Sequence, residues 1–232
     1  MVVTLALLTM IVLIVVDVVV RWRVARRAKP ETALTEAVMD LLLPTLKAEH
    51  FSLPGGIFFH RGHTWANLLF SGQVKTGLDD FLQRLLGHID DLVLPPVGAS
   101  VKEGEPFVTI RQGNRTAILR APVDGEVCAV NSELLKNPNL LKRDPYTRGW
   151  LVAVRPTNLA SNLPGLAVGE SALIWLKTEV ARLHRFLSDM LTVERHALIG
   201  ITAADGGVHL DGLLEHVDEE MWRRFQREFL GA

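Results

Sequence analysis

The chain has 232 residues, 48% apolar and 22% charged, with a formal net charge of −1, enough for one or two domains with a real core. Residues 1–29 carry five positive side chains and one negative, a surplus of +4, so the remainder carries −5; a mildly acidic body gives no reason to propose a nucleic-acid partner. The single cysteine, Cys128, excludes an internal disulfide and fits a reducing cytoplasm.

The positive mean hydropathy of +0.22 has a local source. Residues 1–20 are apolar apart from Thr4, Thr9 and Asp17, and twenty helical residues span about 30 Å, the hydrocarbon thickness of a bilayer. No charged side chain precedes the run, and Val15-Val16-Asp17-Val18-Val19-Val20 offers no small-x-small cleavage site. The expectation is therefore an uncleaved single-span anchor rather than a secretory signal. Arg21, Arg23, Arg26, Arg27 and Lys29 follow the run, which puts the N-terminus outside and the C-terminal body in the cytoplasm. Asp17 sits near the inner end, within reach of headgroups or of Arg21; a polar contact to another membrane helix is the alternative.

Residues 31–49 read as an amphipathic linker helix. Pro30 suits its start, and Leu34, Val38, Leu41, Leu42 and Leu46 recur at helical spacing. Its apolar face packs on the following domain in one reading and docks to a partner in the other. Beyond it, His60 and His63 have a chelating spacing, but no cysteine or carboxylate set accompanies them and no metal is expected. Asp79-Asp80 and Asp90-Asp91 read as helix-end and turn residues.

Residues 94–156 carry short β-branched runs broken by glycine turns, the pattern of a compact sheet of short strands. Phe107-Val108-Thr109-Ile110 leads up, Gln112-Gly113-Asn114 turns, and Thr116-Ala117-Ile118-Leu119 leads back, with Gly-Asn a favoured pair for a two-residue turn. Cys128, on the strand after Gly125, reads as a small buried apolar residue. Residues 170–190 read as a helix with Leu173, Leu176, Val180, Leu183, Phe186 and Leu187 as its apolar stripe. Residues 200–212 read as a connector. Asp218 caps a last helix that places Met221, Trp222, Phe225 and Phe229 on one face. Those aromatics either pack internally or serve as anchors for a partner.

The motif Pro95-Pro96-Val97-Gly98-Ala99-Ser100-Val101-Lys102-Glu103-Gly104, the hairpin, and Ala121-Pro122-Val123-Asp124-Gly125-Glu126-Val127 resemble a lipoyl-type hammerhead domain. Asn137-Pro138-Asn139-Leu140-Leu141-Lys142-Arg143-Asp144-Pro145-Tyr146-Thr147-Arg148-Gly149-Trp150-Leu151 narrows the resemblance to the glycine cleavage system H protein. Leu53-Pro54-Gly55-Gly56, His63-Thr64-Trp65 and Val74-Lys75-Thr76-Gly77-Leu78-Asp79-Asp80-Phe81 extend it, so it covers roughly residues 53–163. The resemblance implies a non-catalytic carrier whose hairpin tip bears a lipoylated lysine that shuttles an aminomethyl group between enzymes.

The chain departs from that family at the tip. The lysine position, counted back from Ala121-Pro122-Val123, is Asn114, and an amide cannot be lipoylated; no lysine lies between Lys102 and Lys136. The family's acidic residue three before the lysine falls on Arg111, and with Arg115 and Arg120 the hairpin becomes basic, the wrong charge for a lipoate-attaching enzyme.

The reading is an α+β chain in four parts: an anchor (1–20), a basic juxtamembrane segment and linker (21–50), an H-protein-like domain (51–165) and a helical extension (166–232). Its expected function is that of a non-catalytic, non-lipoylated accessory or scaffolding subunit of a membrane-associated complex. Its expected partners are the membrane and other protein chains, with no cofactor, no nucleic acid and no small-molecule substrate. Arg111, Asn114, Arg115, Arg120, Trp222, Phe225 and Phe229 are the candidate partner-binding residues. Two alternatives stand beside it: a lipoyl carrier using a displaced lysine such as Lys102 or Lys75, and a module whose basic hairpin tip binds an acidic metabolite or protein surface.

Overall fold

Short runs of Val, Ile, Thr and aromatic residues, separated by turns, build nine strands in residues 46–193 and 210–231, the residues that the computed structural model describes. Strands β1 (Phe58–Phe59), β2 (Thr64–Leu68), β3 (Val74–Leu78), β9 (Trp150–Pro156), β8 (Gly125–Val130) and β5 (Ser100–Val101) lie side by side in that order as one sheet. Strands β4 (Asp91–Val93), β6 (Pro106–Gln112) and β7 (Arg115–Arg120) form a second. Every pairing is antiparallel. Cys128 lies where the β8–β9 register shifts, half-buried, its thiol donating to the Ala153 carbonyl at 3.2 Å.

Trp65 shows why local sequence and sheet register agree. It pairs with Gly77 across β2 and β3, is wholly buried, and its indole N–H donates to the Leu78 carbonyl at 3.0 Å. The ring lies over Gly77, where a Cβ would approach it to 2.5 Å. Only a glycine leaves room for that ring.

Helix α1 (Asp80–Leu86) starts at Asp79, whose Oδ1 accepts from the Leu82 amide at 2.8 Å. Three short helices follow, α2 (Ser132–Lys136), α3 (Leu140–Arg143) and α4 (Leu159–Asn162), then the long α5 (Glu170–Val193). Helix α6 (Glu219–Phe225) is capped by Asp218, whose Oδ1 accepts from Met221 N at 2.7 Å, and runs on into a wider π turn over Gln226–Leu230.

One continuous core joins the strands to the C-terminal helices. Helix α5 buries Ala172, Leu176, Val180, Leu183, Phe186 and Leu187. Leu173, expected in that stripe, is 39% exposed; Ala172, one residue and about 100° earlier on the helix, holds its place. Trp222, Phe225 and Phe229 are all buried. Phe225 stacks on Phe229 at 4.7 Å, Phe186 meets both edge-on at 5.9 Å, and Phe229 lies 6.1 Å from Phe81 of α1. The aromatic face is filled by the chain itself, so these three residues are not anchors for a partner. Each large side chain so buried contributes about 1.5–3 kcal/mol.

The linker helix expected over 31–49 does not reach Glu49. Lys47 is extended (φ −114°, ψ 151°) and only Ala48–His50 turn, as a 3₁₀ helix; Pro44, which disfavours helix in the residue before it, sits just upstream. The rest of that linker, the apolar run 1–20 and most of the connector 200–212 lie outside the described residues. Among the described residues no helix is long and apolar enough to cross a membrane.

Candidate functional site

The β6–β7 hairpin forms as expected, with Gln112 facing Arg115 and Gly113-Asn114 as its turn. Gly113 takes φ +56°, the left-handed value that the first position of a type II′ turn requires. Asn114 is exposed at the tip. A carboxamide there is a hydrogen-bonding group without a nucleophilic nitrogen.

Neighbouring loops hold the tip. Gly113 N donates to Asp90 Oδ2 at 2.5 Å, and Gln112 Nε2 donates to the carbonyls of His88, at 2.8 Å, and Leu86. His88 N in turn donates to Glu215 Oε1 at 2.5 Å. Glu215 belongs to a short turn, Leu213–Glu215, that reaches α1 through Gly212 N and the Arg84 carbonyl, 2.7 Å apart. Gly87 makes this approach possible: it takes φ +75°, and a Cβ there would lie 2.5 Å from Gly212 Cα and also collide with the Glu215 carboxylate. A cavity of about 530 Å³ beside the tip is lined by Asn114, His88, Asp90, Glu215 and Glu219 among others.

The three hairpin arginines do not form one basic face. Arg111 is exposed and pairs with Asp91 across β4 and β6 at 3.4 Å. Arg115 donates to the carbonyls of Leu214, at 2.6 Å, and Val217, and its guanidinium lies 5.7 Å from the Trp222 ring. Arg120 donates from Nε to the Leu230 carbonyl at 3.1 Å, from Nη1 to Gly104 at 2.8 Å, and from Nη2 to Gly231. Gln226 Nε2 adds a bond to the Thr116 carbonyl at 2.6 Å. Arg115 and Arg120 therefore satisfy carbonyls left unpaired in the C-terminal segment, including the end of its last helical turn. That segment lies against β7, the outer strand of its sheet, and covers an edge that would otherwise be open. The basic tip read from sequence is thus largely an internal clamp.

The displaced lysines are elsewhere. Lys102 is exposed in the turn after β5, and the Lys75 ammonium on β3 lies 4.8 Å from the Trp150 ring centre.

Beneath the extension is a charged network that sequence reading missed. His63, the one non-glycine residue with positive φ (60°) among the described residues, is fully buried. Its Nδ1 is 2.8 Å from Asp79 Oδ2 and its Nε2 is 3.8 Å from Glu179 Oε2, too long for a hydrogen bond. Glu179 is bound by Arg182 Nη1 at 2.7 and 2.8 Å, and Arg182 Nη2 donates to the Glu228 carbonyl. Burial opposes charge on His63, but the Asp79 carboxylate, helped by Glu179, outweighs it and raises the imidazole to about 9. Burial likewise opposes charge on Glu179, yet His63 and Arg182 hold it below its ordinary value. Two cations and two anions cancel, and the network ties the β1–β2 turn and α1 to α5 and the C-terminal segment. The polar pair Glu179 and Arg182 at i, i+3 beside the apolar stripe was the available signal.

His60 is a contrasting case. Gly62 N donates to its Nδ1 at 3.1 Å and its Nε2 meets Glu103 Oε1 at 3.2 Å; burial outweighs the Glu103 charge and lowers its pKa. The ring is a neutral linker with Nε2 as donor.

The glycine cleavage H-protein family model matches residues 57–178, running from β1 into α5. A probable glycine cleavage system H protein of Pyrococcus abyssi is 33% identical over 133 residues, 57% of this chain and 98% of the relative. The glycine cleavage system H protein of Rubrobacter xylanophilus is 40% identical over 104 residues, 44% of this chain and 81% of the relative. The crystal structure of a glycine cleavage system H protein from Mycobacterium marinum aligns with 57% of this chain and 99% of its own at 25% identity and a TM-score of 0.47.

Proposed function

We infer, for a chain that belongs to the glycine cleavage H-protein family of lipoyl carriers, that it is a non-lipoylated, non-catalytic member, tethered to the membrane as an accessory or scaffolding subunit. The observation that carries this reading is the hairpin tip, whose turn is Gly113-Asn114 with no lysine between Lys102 and Lys136; counted back from Ala121-Pro122-Val123, Asn114 is where the resemblance puts the family's lysine. A carrier needs a nucleophilic amine on a freely presented tip. Here the amine is replaced by an amide, Gly113 is held by Asp90, and Arg115 and Arg120 are engaged with the C-terminal segment. An H-protein fold kept with such a tip suits a surface for other proteins. The tether rests on the apolar run 1–20 and the basic cluster behind it.

Purification of the full chain from its native membrane in mild detergent, with intact masses for it and for every comigrating chain, tests this. The expected result is an unmodified mass and stoichiometric partner chains. A lipoyl-sized increment, or a chain that purifies alone, overturns it.

A further inference from the structure

A second cavity, of about 550 Å³, opens between the β1–β2 turn, the base of the hairpin and the C-terminal segment. Its lining holds Arg61, Arg120, Arg182, His60, Glu103 and Glu228. Most of that charge is already matched. Arg182 is bound to Glu179, and Glu228 Oε1 accepts from Arg224 Nε at 2.6 Å. Two guanidiniums and one carboxylate remain. Arg61 is exposed and meets no carboxylate among the described residues. Arg120 uses three of its five N–H groups on the carbonyls of Leu230, Gly104 and Gly231, which leaves two for a ligand. In the same lining, Glu103 is fixed by His60 through Oε1, and no described residue donates to its Oε2.

We propose that this cavity is a binding site for a small oxyanion that also carries an O–H donor, such as hydrogen phosphate or a hydroxycarboxylate. The anionic oxygens take the guanidinium hydrogens of Arg61 and Arg120, and the O–H is given to Glu103 Oε2. Glu103 sets the selectivity. An oxyanion with no proton to donate brings its charge against a carboxylate with nothing between them, and is rejected. The ligand is bound and left chemically unchanged, so the site is independent of any carrier or scaffolding role. Because the lining comes from both the H-like domain and residues 228–231, occupancy also fastens the C-terminal segment to the domain.

Calorimetric titration of the full chain at neutral pH and low ionic strength tests the site with inorganic phosphate, sulfate, glycolate and acetate as probes. Saturable binding of phosphate or of glycolate is expected, at least about tenfold tighter than its donor-free counterpart, sulfate or acetate; which of the two binds names the source. Arg61→Ala, a change at an exposed side chain that leaves the fold intact by thermal melting, should weaken binding about fivefold or more. Glu103→Gln should erase the preference for phosphate over sulfate. No saturable binding of either donor-bearing probe, equal binding of sulfate, or an unaltered affinity in Arg61→Ala overturns the proposal.

Discussion

The buried imidazolium of His63 makes the stability of the fold depend on alkaline pH. An imidazole raised from 6.5 to about 9 on folding contributes stability that is complete below the unfolded value of 6.5 and is lost as pH rises through about 9. At about 1.4 kcal/mol for each unit, its contribution is on the order of 3 kcal/mol. The contribution of Glu179 has the opposite sign: its depressed pKa makes its share present above the unfolded value and lost on acidification, so the two windows do not overlap. His60, whose pKa is lowered, also acts below 6.5. The assay is urea unfolding of the full chain and of His63→Gln at about pH 6.5, 8 and 9.5, with free energies from linear extrapolation. The variant should be less stable at the lowest pH, because Asp79 and Glu179 have lost the cation between them, and the gap should shrink by about 3 kcal/mol by the highest. Groups that titrate in both proteins cancel in the difference. A gap that stays constant from end to end refutes the buried ion network.

Two further changes probe the docking of the C-terminal segment and the tip. Gly87→Ala forces a side chain into left-handed backbone and into Gly212 and Glu215; it should cost roughly 1–3 kcal/mol and raise amide exchange in residues 210–217 before the rest of the chain, with uniform exchange counting against the contact. Asn114→Lys restores the amine but leaves Arg111 beside it. Given lipoate and a lipoate-attaching enzyme, it should gain little mass, whereas Asn114→Lys with Arg111→Glu should be modified roughly tenfold faster; equal labelling of the two would remove charge from the account.

The β-rich domain was legible because its signals are local. Gly113 at the turn, Asp79 and Asp218 as caps, and alternation along β6 and β7 each act within a few residues, so sequence order carries them. The hairpin arginines were misread for the opposite reason. Arg115 and Arg120 looked like a basic face because their partners, the carbonyls of Leu214, Val217, Leu230 and Gly231, are backbone groups about a hundred residues away, and a backbone carbonyl leaves no trace in sequence. Trp222, Phe225 and Phe229 were legible as one face but not as a covered one, since nothing in the spacing of the last helix says that Phe81, Phe186 and His63 lie opposite.

These two misreadings have one physical origin, and it bears on what the tip can do. Arg120 replaces hydration of the Leu230 and Gly231 carbonyls at the end of the final helical turn, Arg115 that of the Leu214 and Val217 carbonyls ahead of α6, and a charge-assisted bond of this kind is worth about 1.5–3 kcal/mol. The cation that would make the tip a docking site is therefore spent on keeping the C-terminal segment against β7. A partner protein that took over the guanidinium hydrogens already bonded in Arg115 or Arg120 would gain only the difference, and the two N–H groups that Arg120 has to spare belong to the cavity at the base of the hairpin rather than to its tip. Arg111 is not so committed: its one ion pair, to Asp91, is solvent-exposed on both sides and worth little. Arg111 and Asn114 at the outer end are thus the hairpin side chains of this set that internal bonds leave uncommitted, while the inner arginines hold the segment that flanks them in place.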